Sequence, residues 1–247
     1  MQRFWIQTTD VCGPFASGEE ELQAFLGDRY IANADARSGL IRDWQSSTRK
    51  TPQEIEEFYR STSGYLYNLT RWHARNRFPY AEVIGDFASR HGLKRLLDFG
   101  CGIGTDGLKL LERGFDVAFY DFRNPSTEYL AWRLAKRRRK GTILYAGEDE
   151  LPETDLTFAI DVIEHVVDPA ATLRQLTSRT RALIPHFPIT TQQHKHPMHF
   201  HLKKRQLRQV IRDEGFRRVW DMSQLRYKWG FLLPTETPDF WIRSNRG

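Results

Sequence analysis

Apolar residues along the chain fall into short runs separated by helix-length stretches. Leu96 and Leu97 open a short strand that runs into a glycine-rich turn, Phe115 to Tyr120 reads as a second strand, Thr142 to Ala146 as a third and Asp155 to Asp161 as a fourth. The alternation of strand and helix continues from Arg95 to about Arg181. That order implies right-handed crossovers and a parallel sheet. Further on, Leu207, Val210 and Ile211 give Leu202 to Glu214 a helical pattern that stops at Gly215, and Phe216 to Asp221 and Asp239 to Ile242 read as two closing strands. Upstream, Thr51-Pro52-Gln53-Glu54 is a capping box with proline at the first helical position, which predicts a helix running through Phe58. A second N-terminal helix is expected to include Tyr65 to Arg75. No internal repeat interrupts this layout.

The turn after the first strand carries the candidate chemistry. Gly100, Gly102 and Gly104 alternate with Cys101 and Ile103, so the backbone can approach a ligand and adopt positive φ between strand and helix. The second strand ends in Asp121, seventeen residues after Gly104. In a βαβ unit that carboxylate lies near the first loop, where it can accept both ribose hydroxyls of an adenosine. A dinucleotide fingerprint needs glycine at position 105, which is Thr105 here, so the loop reads G-x-G-x-G.

That loop resembles the first motif of class I S-adenosylmethionine-dependent methyltransferases. Asp161-Val162-Ile163-Glu164-His165-Val166-Val167-Asp168-Pro169 further resembles the D-V-x-E-H-V-x-D-P signature of the branch containing ubiquinone-biosynthesis O-methyltransferases. The resemblance covers roughly residues 80 to 247. It implies an α/β fold: a Rossmann-like, seven-stranded, mostly parallel sheet with helices on both faces and one antiparallel strand, behind an N-terminal helical cap. The cofactor implied is S-adenosylmethionine, with Asp98, Gly100, Cys101, Gly102, Gly104, Asp121, Phe122, Glu148 and Asp161 as its binding positions, Glu148 meeting the adenine. Residues 1–80 are expected to be the cap and substrate-binding region, and 81–247 the methyltransferase domain. In the resembled family such caps supply acceptor contacts, which makes Tyr59, Tyr65, Tyr67, Trp72 and His73 candidates; core packing is the competing reading.

A sulfonium methyl is already electrophilic, so the protein must chiefly align the acceptor's lone pair and, where needed, take up a proton. Asp161, Glu164 and His165 follow the fourth strand at the ligand-binding end of such a sheet, and His165 can act as general base. Four histidines, His194, His196, His199 and His201, cluster after the fifth strand and its Pro185-His186-Phe187-Pro188 continuation. In extended chain His199 and His201 share a face. Glu164-His165 with a later histidine resembles the metal site of plant small-RNA 3′-terminal ribose methyltransferases, although Asp161 stands where that family has glutamate. The implied ligands of a divalent ion are Asp161, Glu164, His165 and either His199 or His201, and the implied catalytic set is His165, His199 and Glu164. A metal-free, acceptor-facing histidine is the equal alternative.

Composition narrows the partners. The chain has 247 residues, 40% of them apolar, enough to bury a full core, and no apolar run approaches the ~20 residues of a membrane span. The N-terminus lacks a signal-peptide layout, and Cys12 has no obvious disulfide partner because Cys101 sits in the glycine loop. A cytoplasmic enzyme, monomer or homodimer, is therefore expected. Net charge is +6, much of it in Arg133, Lys136, Arg137, Arg138, Arg139 and Lys140, which read as a solvated helix C-terminus. Nucleic acid is the disfavoured partner, because no second basic patch with interleaved aromatics accompanies that cluster. The leading expectation is methyl transfer to O or N of a small-molecule metabolite, in the setting of specialised biosynthesis. The alternatives are a metal-dependent 2′-O-methyltransferase of an RNA 3′ end and a non-catalytic S-adenosylmethionine-binding subunit.

Overall fold

The computed structural model describes residues 15–32, 36–48, 51–74, 79–188, 198–200, 202–220 and 238–244. Seven strands form one sheet in the order β3-β2-β1-β4-β5-β7-β6. They are β1 (Arg95–Phe99), β2 (Asp116–Asp121), β3 (Thr142–Tyr145), β4 (Thr154–Ala159), β5 (Thr180–Pro185), β6 (Phe216–Val219) and β7 (Phe240–Arg243). β7 runs antiparallel to both β5 and β6, and the other pairs are parallel. This is the expected Rossmann-like sheet with a single reversed strand.

Alternation along each strand builds two cores. Leu96 of β1, Leu156 and Phe158 of β4, and Ile184 of β5 pack on one face with helices α5 (Tyr80–Arg90), α6 (Thr105–Glu112) and α7 (Pro125–Lys136). Leu97, Ala159, Leu183 and Trp241 face the other way, against α8 (Pro169–Ser178) and the helix Lys204–Asp213, here α9. Both faces are covered, so the central strands read as nearly continuous apolar runs.

Four helices, α1 (Gly18–Leu26), α2 (Ala36–Ser46), α3 (Pro52–Ser61) and α4 (Gly64–His73), precede α5. The capping box closes as expected, the Thr51 hydroxyl accepting the Glu54 N–H and the Glu54 carboxylate the Thr51 N–H. Leu22, Leu26 and Leu66 from α1 and α4 bury against Ile103 of the glycine loop and Tyr129 of α7. Trp44 and Phe58 from α2 and α3 bury with Met198. The N-terminal helices are thus packed directly on the loop between β1 and α6. Among the described residues no helix is long and apolar enough to cross a membrane.

Several boundaries differ from expectation. The fourth strand stops at Ala159 because Asp161 turns into the left-handed region, φ +54°. The third stops at Tyr145, with Ala146 forming an isolated bridge to Asp149. The strand from Phe216 ends at Val219, and its expected terminus Asp221 lies outside the described residues, as do Arg75, Cys12, His194, His196 and His201.

The expected solvated helix C-terminus is corrected more deeply. Arg133 is 1% exposed and the side chain of Arg137 4%, and both pair with Glu21 of α1, itself 1% exposed. Arg138, Arg139 and Lys140 remain at the surface. Two of the six residues of the apparent basic patch are therefore an internal tie between the N-terminal helices and the sheet domain.

Candidate active site

The loop after β1 puts Gly100, Gly102 and Gly104 at φ +70°, +52° and +72°. All three are left-handed, a conformation that penalises any side chain. Space is also short. A Cβ on Gly100 would lie 2.3 Å from Val162 Cγ2, and one on Gly104 2.3 Å from Leu130 Cδ1. At Gly102 the neighbour is Leu69 Cδ1 of α4, at 2.9 Å, so a helix from the N-terminal region closes that side of the loop. His73 of α4 adds a polar tie, its Nδ1 lying 2.7 Å from Thr105 Oγ1 at the start of α6.

Asp98 is buried, and its Oδ2 accepts the Gly107 N–H at 3.1 Å. Gly104 offers no capping side chain, so Asp98 caps α6 from the neighbouring strand. Asp121, at the tip of β2, accepts the Gly102 N–H on Oδ2 and the Phe122 N–H on Oδ1, both at 2.7 Å. Burial raises its pKa, and the two backbone N–H groups pull partly the other way. Each carboxylate oxygen keeps a second lone pair for another donor. Cys101 is buried and its thiol is pushed well up, mainly by burial, as befits a small filler and not a nucleophile.

Beyond Asp121 the wall comes from Phe122, Ala146 and Gly147. Arg60 of α3 lies over the Phe122 ring at 4.3 Å and donates to the Ala146 carbonyl. Sequence reasoning missed this residue. Glu148 is exposed and forked by Arg123, whose guanidinium also stacks on Tyr145. Its carboxylate is thus already engaged at the rim.

The segment after β4 brings together three of the expected residues. Glu164, His165 and His199 each offer a ligand atom, all within 4.8 Å of one another. Glu164 is 2% exposed, and its Oε2 has no hydrogen-bond partner among the described residues. Burial first, then the Asp161 carboxylate, raises its pKa well above the usual carboxylate range. The Phe200 N–H donates to the Glu164 carbonyl, holding the His199 segment alongside. His165 Nδ1 lies 3.1 Å from the Tyr59 hydroxyl and 3.3 Å from the Met198 carbonyl. A carbonyl only accepts, so the tautomer protonated on Nδ1 satisfies both contacts and leaves the lone pair on Nε2.

Asp161 does not join that cluster. Its Oδ1 accepts from His186 Nδ1 at 2.8 Å, so the expected first metal ligand is turned toward β5. His186 is a second residue that sequence reasoning did not select, although its Pro-His-Phe-Pro setting was visible.

The aromatic candidates divide. Tyr59 and Tyr65 face the His165 side, with ring centroids 6.0 Å apart, and burial raises both hydroxyl pKa values. The Tyr67 hydroxyl accepts the Ile31 N–H, His73 is the buried tie to Thr105, and Trp72 is 51% exposed. Core or surface roles account for these three.

A glycine loop at the carboxyl end of β1, an acid at the end of β2 and a single reversed strand define the class I methyltransferase fold. Residues 71–183 match the family described as a methyltransferase domain. Glycine/sarcosine N-methyltransferase of Parasynechococcus marenigrum (strain WH8102) is 34% identical over 96 residues, covering 37% of this chain and 32% of that protein. The enzyme of the same name from Aphanothece halophytica is 38% identical over 76 residues, 31% of this chain and 27% of that protein. The matched segment therefore spans about a third of these curated relatives. Among solved structures, magnesium protoporphyrin IX methyltransferase from Synechocystis PCC 6803, with bound S-adenosylmethionine, has a TM-score of 0.55 at 14% identity, covering 94% of this chain and 100% of that one. That likeness speaks to the fold.

Proposed function

We propose that this protein transfers the methyl group of S-adenosylmethionine to oxygen or nitrogen of a small-molecule acceptor. The observation that carries the reading is the Asp121 carboxylate, anchored by the Gly102 and Phe122 N–H groups beside three left-handed glycines. That arrangement suits a ribose held by Asp121, with the chain of the cofactor lying over backbone that has no side chains. Phe122, Ala146 and Gly147 under Arg60 form a wall for the adenine, while Glu148 reaches it only if Arg123 releases its carboxylate. Residues 1–80 act as the cap, and Tyr59 and Tyr65 line the acceptor side.

Relatives named for glycine, sarcosine and magnesium protoporphyrin favour a small-molecule acceptor. Burial of Arg133 and Arg137 removes charge that an RNA end would need. A divalent ion on Glu164, His165 and His199 is part of the proposal, because a buried carboxylate oxygen without a partner beside two imidazoles fits such a group. Bound there, the ion would lower the pKa of an acceptor hydroxyl. His165, held by Tyr59, would otherwise take the acceptor proton itself.

The test is calorimetric titration with S-adenosylhomocysteine and, separately, NADH, followed by turnover of labelled S-adenosylmethionine with panels of amines and hydroxy compounds. Tight S-adenosylhomocysteine binding with acceptor-dependent methyl transfer is expected. Preference for NADH would overturn the cofactor assignment, and binding without transfer to any acceptor would favour a non-catalytic subunit.

A further inference from the structure

Beside the site, on α9 and β6, lies a concentration of positive charge that the methyl-transfer chemistry above leaves unused. Residues 202–220 carry seven Lys or Arg against two acids, an excess of five in a chain whose net charge is +6. One helix and one edge strand thus account for a surplus nearly equal to that of the whole chain.

The helical repeat explains its arrangement. Leu207 and Ile211, one turn apart, bury against the sheet, which leaves Lys204 and Arg208, also one turn apart, together on the flank of α9. Arg208 donates from Nε and Nη2 to the two carboxylate oxygens of Asp239, at 2.6 and 3.1 Å. Arg218 of β6 places Nη2 2.5 Å from Oδ1 of the same acid. Asp239 is 3% exposed and the two arginines 31% and 32%, so the carboxylate lies beneath and the cations above it. Both guanidiniums keep N–H donors that one carboxylate does not take. Lys204 adds a third cation, half-buried, within electrostatic reach of Arg208, Asp239 and Glu164. Among the described residues it makes no hydrogen bond or ion pair. Burial first, then Arg208, works against its charge, and Asp239 and Glu164 only partly oppose them.

The sheet fixes where this surplus lies. The His186 N–H donates to the Ala159 carbonyl and the Asp239 N–H to the Pro185 carbonyl, at 2.8 and 3.1 Å. The ladder therefore steps from the end of β4, past the end of β5, to Asp239 at the start of β7. Strands ~4.8 Å apart put Asp239 about two spacings, roughly 10 Å, from the segment after β4 that carries Glu164 and His165. Lys204, in reach of both Asp239 and Glu164, lies between them. All of this is at the carboxyl end of the parallel strands, the end at which such sheets bind ligands.

Resting on the methyl-transfer reading above, we propose that the acceptor carries an anionic group, a carboxylate or a phosphate, that docks on Lys204 with Arg208 and Arg218 behind it, about 10 Å from the atom that is methylated. Asp239 is already shared between two guanidiniums, so the counter-charge for Lys204 comes with the acceptor. An acceptor as short as glycine, ~3–4 Å from nitrogen to carboxylate oxygen, cannot bridge the two ends.

The test is calorimetry on chelator-treated protein loaded with S-adenosylhomocysteine, using matched probes: 4-hydroxycinnamate against its amide, and 4-hydroxyphenethyl phosphate against the parent alcohol. At least one charged probe is expected to bind roughly ten- to a hundred-fold tighter than its neutral partner, the range for a hydrogen bond to a charged group. The tighter charged probe separates a carboxylate acceptor from a phosphorylated one. Lys204→Gln should lose most of the preference and Lys204→Glu all of it, while the neutral probes stay within about two-fold of wild type. Glycine should bind no tighter to wild type than to Lys204→Glu. Thermal midpoints check the fold of both variants, and Lys204→Gln carries the test if the charge reversal unfolds the chain. Charged probes that bind no tighter than their neutral partners, or not at all, would overturn the proposal, as would a preference that survives both substitutions. Wild-type protein that did not bind S-adenosylhomocysteine would overturn the methyltransferase reading itself, a result reached before any probe is added.

Discussion

The Arg133 guanidinium joins the Ile103 carbonyl of the glycine loop, at 2.7 Å, to the Glu21 carboxylate of α1, at 3.0 Å. A helix at the start of the described chain is thereby fixed to the backbone between Gly102 and Gly104. Arg137 completes the set at 2.8 Å from Glu21, and all three side chains are excluded from water.

Removing Arg133 leaves Glu21 paired with Arg137 but strips the buried Ile103 carbonyl of its donor, a loss of about 1–3 kcal/mol. Arg133→Met is therefore expected to lower the thermal midpoint by roughly 2–12 °C, at about 2–4 °C per kcal/mol for a chain of this size. S-adenosylhomocysteine affinity should fall with it, because the Ile103 carbonyl loses its donor. Scanning calorimetry with and without ligand reads both effects. A midpoint within a degree or two of wild type would mean that the triad contributes no net stability.

Gly100 gives a sharper test of the loop. Gly100→Ala places a methyl 2.3 Å from Val162 Cγ2 at φ +70°, so strain and overlap combine. Each is worth about 1–3 kcal/mol. Adding Val162→Ala removes the overlap and leaves the strain. The double variant should therefore recover part of the stability and nucleoside affinity lost by the single one. No recovery in denaturant unfolding and ligand titration would assign the whole loss to backbone conformation.

Asp121 should show its role in both affinity and pH. Asp121→Ala is expected to cost about 1.5–3 kcal/mol of S-adenosylhomocysteine binding, the range for hydrogen bonds to a charged group. Burial holds its pKa above the usual carboxylate value, and ribose hydroxyls bind the ionised form. Wild-type affinity should then weaken on acidification at a pH higher than an ordinary aspartate would require. Asp121→Asn should show little of that slope between the ordinary and raised values. A pH-independent wild-type affinity across the acidic range would remove Asp121 from the contact.

What was legible along the chain was local or periodic. Strand alternation, the Thr51 capping box and the glycine loop all depend on neighbours a few residues apart, and each forms as read. The D-V-x-E-H-V-x-D-P segment was legible as a unit but mixed in content. Asp168 accepts the Ala171 N–H and Pro169 begins α8, so its last two positions start a helix, whereas Glu164 and His165 face the site. Long-range pairs stayed hidden because periodicity carries no information about them. Glu21 and Arg133 are 112 residues apart, and Arg60 meets Ala146 across 86. The same limit explains Asp161. Its type marked it as a ligand, but its direction was set by His186, 25 residues later, across a strand pairing.

The Glu164, His165 and His199 cluster ties metal uptake to a proton. Glu164 must ionise to bind a cation, and burial, reinforced by Asp161, holds its pKa well above the usual range. Mn²⁺ uptake should therefore release a proton and tighten with rising pH, up to tenfold per unit until the raised pKa is passed. In the metal-free protein the sign is opposite. The folded state holds this proton more tightly than the unfolded chain, so stability is highest in acid and declines as pH rises from the ordinary glutamate value toward the raised one. Glu164→Gln should abolish both the uptake and that decline, and His199→Ala should weaken uptake with little effect on the stability slope. Isothermal titration in buffers of different ionisation enthalpy counts the released proton. Uptake unchanged in Glu164→Gln would place the metal elsewhere. Wild-type protein that took up no ion at any pH would leave His165, with Nδ1 held by Tyr59 and the Met198 carbonyl, to accept the acceptor's proton through Nε2.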